Sequence, residues 1–374
     1  MFIIGLALIF TAQKKVTNIF SIFFLLFYLL FFCLSFTMRQ YGFLFGDASD
    51  DAPTYYYWYL ERLGDVSASF NREIIFWLPL DLISLLVGKL SFFSFTLIVN
   101  VFMMCVLFYA IRPFKAYSII YIYILLFLFH SNIYTLVHIY RQALATLFLM
   151  ISIYYYLHEN KKKSFFLFII AFLSHNTAAF VFIPIFLMEM SVFFLNKRKN
   201  ILIKISSILF LAFISLLLIY LSLYFFPNAI GELEYKSDYY MSNDNYVSFD
   251  KLSLFIILAN LCMLYYSTNN NVKKIAFSFI LLQSLFWAWG NWSFLARVNL
   301  LTLPLTMYLY FFMSYYRCIK YPKISILVIF SLATLALINT SYISFTNSES
   351  ILKILNNNSF LHLSTGFVKT LLYL

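Results

Sequence analysis

The chain has 374 residues, of which 63% are hydrophobic, 22% aromatic and only 11% charged. Soluble globular domains carry roughly 25% charged residues, so this composition excludes that class. The net charge of +11 does not call for nucleic acid, because the basic residues fall in short clusters between apolar runs and read as topology signals.

Runs close to the roughly 20 apolar residues that span a bilayer follow one another almost end to end. They do not alternate at period two, as FSIFFLLFYLLFFCLSF illustrates, which argues against a β-barrel. The expected fold is all-α: a polytopic helical membrane protein of about twelve transmembrane helices, with residues 1–374 forming one integral membrane domain. Cys33, Cys105, Cys262 and Cys318 stand singly in or at the end of apolar runs, so neither a disulfide framework nor a zinc site is expected. The first run, MFIIGLALIFTA, has its charges after it at Lys14 and Lys15, the reverse of a secretory signal, and is read as a short retained helix.

Taking the lysine clusters as cytoplasmic predicts spans at 1–12, 18–37, 91–111, 117–136, 142–158, 164–175, 177–195, 201–226, 252–268, 275–291, 298–316 and 324–345. The cytoplasmic breaks then hold 16 of the 26 basic residues, and of the acidic ones only Glu159 and Glu189. Two outer segments are long, 38–90 and 227–251. In the first, the apolar part from Glu73 to Val87 cannot cross without forcing Arg112 and Lys115 outside, so it is expected as a re-entrant or interfacial helix. The second interleaves acidic residues with Tyr239, Tyr240 and Tyr246, a pattern suited equally to a solvated loop or to stacking on sugar rings.

The stretch from His138 to Thr177 holds the most unusual chemistry. His138 and Arg141, one helical turn apart, share a face at the outer start of a helix, with Gln142 beside them. From Ser164 to Asn196 there are 33 residues, about 50 Å of helix, whereas two crossings of the hydrocarbon layer need about 60 Å. The Ser174, His175, Asn176, Thr177 turn is therefore expected below the outer surface, in a polar cavity. Five of the eight arginines, Arg39, Arg62, Arg72, Arg141 and Arg297, fall on the outer side. Arginine's planar fork binds phosphate oxygens bidentately, so this bias points to an anionic, lipid-linked ligand. Against that stand plainer readings: Arg141 snorkelling to headgroups, His175 satisfying its turn, and ion pairs among Arg39, Arg72, Asp47 and Glu73. No G-x-x-x-x-G-K-[ST], H-E-x-x-H or G-x-S-x-G occurs, which argues against an ATPase, a zinc protease and a serine hydrolase.

The order of Arg39 and Gly42, then Asp47, Asp50, Tyr55 and Tyr56, then Arg72-Glu73, RQALA, FLSHNTA and ARVNLL resembles the EpsG/Wzy-type polysaccharide polymerases of O-antigen and exopolysaccharide assembly. The chain has D-A-S-D-D where that family often has Gly-Thr-Asp. The resemblance implies a glycosyltransferase of the bacterial inner membrane with its site facing the periplasm. It joins oligosaccharide repeat units carried on undecaprenyl diphosphate, which is the leaving group. It further implies that Arg141, Arg297, Arg39, Arg72, Gln142 and His138 hold the diphosphate. Glu73, Asp47 and His175 are the candidate catalytic groups, and Tyr239, Tyr240 and Tyr246 the candidate sugar contacts. No cofactor or metal is expected; the implied partners are lipid-linked glycans, membrane lipids, a chain-length regulator and a flippase, with no nucleic acid. An O-antigen ligase sharing the same donor, a lipid-linked sugar flippase and a membrane acyltransferase remain as alternatives.

Overall fold

A computed structural model describes residues 51–63, 73–114, 139–189 apart from positions 176, 180, 183, 186–188, then 251–289 and 292–321, together with Thr37. Among these residues the chain is helical, and the one strand-like feature is an isolated antiparallel bridge between Ser267 and Ile319. The expected spans 1–12, 117–136, 201–226 and 324–345 lie outside the described residues, as does 18–37 but for Thr37. The chain divides into two compact units.

The first unit contains α1 (Asp51–Glu61), α2 (Ile74–Val87), α3 (Phe92–Ile111), α4 (Tyr140–Leu157) and α5 (Lys161–Ser174). Helix α1 falls inside what the sequence reads as an outer loop. Its charges and tyrosines mask a helical face, since Ala52, Tyr55 and Tyr59 at i, i+3 and i+7 are all buried. The Tyr56 hydroxyl donates to the Leu90 carbonyl at 2.8 Å, and the Leu90 amide donates to the Tyr59 hydroxyl at 3.0 Å, so α1 fixes the link between α2 and α3.

Helix α2 is 14 residues, about 21 Å, too short to cross a layer of about 30 Å. It buries Phe76, Trp77, Leu80 and Asp81 and exposes Leu82, Leu85 and Leu86. It stops at Gly88, whose φ of 79° lies in the left-handed region that side chains disfavour. Helix α3, with the turn Arg112–Phe114, is the one helix among the described residues that passes as long and apolar enough to cross a membrane. Ser91 caps it, accepting from the Ser94 amide at 3.1 Å. The Tyr308 hydroxyl, from the helix Trp292–Tyr315, donates to the Ala110 carbonyl at 3.1 Å.

Helices α4 and α5 form a hairpin around which this unit is built. Helix α4 is buried nearly all round, on Leu144, Leu147, Ile151 and their neighbours, as befits a helix enclosed by others. The turn after it places Glu159 at φ 61°, and the Asn160 side chain accepts from the Lys163 amide to start α5. The three lysines read from sequence as a loop thus form the first turn of a helix. Cations oppose the helix dipole there, so local helix stability does not account for their placement. Inside the hairpin the Ser152 hydroxyl donates to the Ser164 carbonyl at 2.7 Å and lies 3.2 Å from the Ser164 hydroxyl. Small residues let the two backbones approach. Ser152→Ala is therefore expected to cost only ~0.6 kcal/mol. Ser152→Leu, which overpacks the seam, should cost ~1–3 kcal/mol, read as a lower midpoint of thermal unfolding in detergent.

The second unit contains α6 (Lys251–Tyr266), α7 (Asn270–Trp289) and the part of α8 (Trp292–Tyr315) up to Thr306. Buried polar pairs tie it together. Asn260 donates to the Thr306 hydroxyl at 3.0 Å, Gln283 to the Thr302 hydroxyl at 2.6 Å, and Asn299 to the Ser253 hydroxyl at 2.9 Å. Lys274 pairs with Glu189 at 2.5 Å, so this lysine has an ion-pair partner in addition to its place in a topology cluster.

Candidate active site

The site begins at the first turn of α4. Tyr140, Arg141 and Gln142 open that helix and all three are buried, in a sequence, YRQALA, otherwise shaped for packing. The arginine reaches Glu73, the residue that immediately precedes α2, and its Nη1 makes an ion pair with Glu73 Oε2. The other carboxylate oxygen, Oε1, lies 3.0 Å from His175 Nδ1. Residues separated by 68 and 102 positions from Glu73 therefore converge on one carboxylate, all within the first unit.

Each arm is positioned by its own element. Helix α5 ends at Ser174, and His175 leaves it in an extended conformation, φ −163° and ψ 131°. The His175 amide donates to the Ala171 carbonyl at 3.0 Å, and the Ala178 amide donates to the His175 carbonyl at 3.1 Å. Ser174, His175 and Thr177 are buried, which keeps this non-helical backbone away from lipid. On the other arm, the Glu73 carbonyl accepts from the Phe76 and Trp77 amides, while its side chain makes no capping bond to the helix. The carboxylate is thus free of helix duty and faces Arg141 and His175.

Aromatic rings pack against the Arg141 arm of the triad. The Arg141 guanidinium lies 5.2 Å from the Tyr55 ring centroid and 5.3 Å from that of Trp58, within cation–π range. Tyr55 in turn packs on Tyr140 at 5.5 Å and on Phe76 at 5.7 Å. Burial by itself raises the Glu73 carboxyl, but the His175 contact and the Arg141 charge outweigh it and hold the group below the usual carboxylate range. Glu73 is consequently an anion that compensates Arg141, and the pair is neutral as it stands.

Of the residues singled out from sequence, Glu73, Arg141 and His175 are brought together and Gln142 is buried next to Arg141 in α4. Arg297 lies on α8 in the second unit, with its side chain outside the described residues. Arg39, Asp47, Arg72, His138, Tyr239, Tyr240 and Tyr246 also lie outside them. Sequence reasoning missed Trp58 and Tyr140 and gave Tyr55 no role in the site. The available signal was the i, i+3 spacing of Tyr55 and Trp58 in DAPTYYYWYLE, hidden by treating that stretch as loop. It also missed a second ion pair, Arg62 to Asp81 at 3.6 Å, with the Arg62 guanidinium 4.6 Å above Trp77, which ties the end of α1 to α2.

The model of the EpsG family matches residues 40–356 of this chain. That range contains every described element of the triad. No curated protein and no solved structure matches it.

Proposed function

The chain belongs to the EpsG family, and from that premise we propose that it is a bacterial inner-membrane polysaccharide polymerase whose donor is a glycan on undecaprenyl diphosphate. Family membership supports the coarser part, a membrane protein of the polysaccharide-polymerase type. The donor, the periplasmic orientation and the residue roles are our reading. It is carried by one observation: a buried arginine, itself against two aromatic rings, and a histidine meet at a single carboxylate.

In the proposed reaction a hydroxyl of the acceptor repeat unit attacks the anomeric carbon of the donor glycan. The new glycosidic C–O bond forms as the bond between that carbon and the diphosphate oxygen breaks, and undecaprenyl diphosphate departs with the electron pair. Arg141, with His175 and Gln142, binds the diphosphate and stabilises the charge that grows on it. Arg297, Arg39, Arg72 and His138 are further candidates for the same task. Glu73 accepts the hydroxyl proton, with Asp47 as the other candidate base. Tyr239, Tyr240 and Tyr246 are candidates for stacking on the sugars. The leaving group is already activated, so no nucleotide enters the reaction.

The test is elongation by the purified full chain. Supplied with undecaprenyl-diphosphate repeat units, it should produce a ladder of longer lipid-linked glycans on gels. A folded protein that yields no ladder would sink the polymerase reading, and transfer of glycan to lipid A core instead would turn it into a ligase.

A further inference from the structure

Arg141 and His175, both assigned to the diphosphate, are engaged by the chain's own carboxylate. Glu73 presents one oxygen to Arg141 and the other, at 3.0 Å, to His175. A carboxylate with one oxygen on a guanidinium and the other on an imidazole occupies the place that two oxygens of a phosphate group take in an anion site. Resting on the reaction above, we propose that Glu73 is an internal stand-in for the donor's diphosphate: Arg141 exchanges the Glu73 carboxylate for a diphosphate oxygen when donor binds, and the released Glu73 becomes the proton acceptor.

Three features of the site permit the exchange. The carboxylate makes no capping bond to α2, whose first amides bond the Glu73 carbonyl instead, so the side chain can swing away without unravelling the helix. The faces of Tyr55 and Trp58 hold the Arg141 guanidinium independently of Glu73, so the cation keeps its place as its anion changes. A diphosphate carries more negative charge than one carboxylate and matches the guanidinium fork, which favours it as the incoming partner.

The exchange couples binding to chemistry. While Arg141 holds Glu73, the carboxylate is a weak proton acceptor; once Arg141 turns to the diphosphate, one of the two groups that lower its proton affinity is withdrawn and only His175 remains beside it. The base is therefore competent only when donor is in place, and the acceptor hydroxyl loses its proton to Glu73 as the glycosidic bond forms. The resting pair also reduces apparent donor affinity by the fraction of molecules in which the site is closed by its own carboxylate.

Calorimetric titration of the full chain in detergent with inorganic pyrophosphate tests this directly. Glu73→Gln should bind pyrophosphate at least about tenfold more tightly than the natural sequence, since the competing anion is removed while its shape is kept. Glu73→Asp, whose shorter arm loosens the pair, should fall between, and Arg141→Ala should bind none. Equal or weaker binding by Glu73→Gln overturns the exchange. If that variant fails to fold, the direction of the change in Glu73→Asp decides in the same way. The outcome separates from that of the polymerase reading: tighter binding without a ladder in the elongation assay keeps the anion exchange and removes the polymerase, and a ladder without tighter binding does the reverse.

Discussion

Arg141→Ala should lower elongation by ~10²–10³-fold, the loss typical of removing a donor that stabilises charge developing in a transition state. The expected readout is disappearance of the lipid-linked ladder with the protein still accumulating in the membrane. Glu73 keeps a partner in that variant, because His175 lies 3.0 Å from it, so the change does not leave a buried carboxylate wholly unpaired. Arg141→Lys should restore only part of the activity. Lysine keeps the charge but offers neither the planar fork nor the stacking that Tyr55 and Trp58 provide to a guanidinium. An Arg141→Ala protein that elongates normally would reduce this residue to a structural anchor.

Glu73→Gln should reduce the elongation rate by ~10²–10⁴-fold, the range expected on removing a general base. The sign of its second effect makes the test specific, because the same substitution is expected to strengthen pyrophosphate binding. A residue that merely held Arg141 and His175 in position would weaken both when removed. Measuring single-turnover rate and pyrophosphate affinity on the same preparation distinguishes the two. A double-mutant cycle of Glu73→Gln and Arg141→Ala, read by thermal unfolding, should show strong coupling between the positions, since each shares the other's principal buried partner.

The sequence made the ingredients of this site visible through their cost. A histidine and an arginine inside a chain that is 63% hydrophobic stand out because burying either requires compensation. Helix arithmetic sharpened this, since an arm too short to cross a bilayer must end at depth, and the structure shows α5 at 14 residues ending in a buried Ser174-His175 turn. The short α2 was legible for a similar reason: a second crossing there contradicts the charge pattern. Less legible was α1, where acidic residues and consecutive tyrosines resemble a loop. Only the burial of Tyr55 and Tyr59 against neighbours distant in sequence shows the helical face.

By itself, then, the sequence determined the helical class of the described residues, the positions of the described helices α3 to α8 within six residues at their starts and two at their ends, and the identity of the polar residues set in apolar surroundings. These follow from local quantities: run length, charge spacing and the energy of placing a charge in hydrocarbon. Tertiary structure alone decided that Glu73, read from sequence at the start of the segment Glu73 to Val87, meets Arg141 and His175. Ion pairing depends on which termini of α2, α4 and α5 meet, and that is set by helix packing over separations of about a hundred residues, which no local pattern encodes.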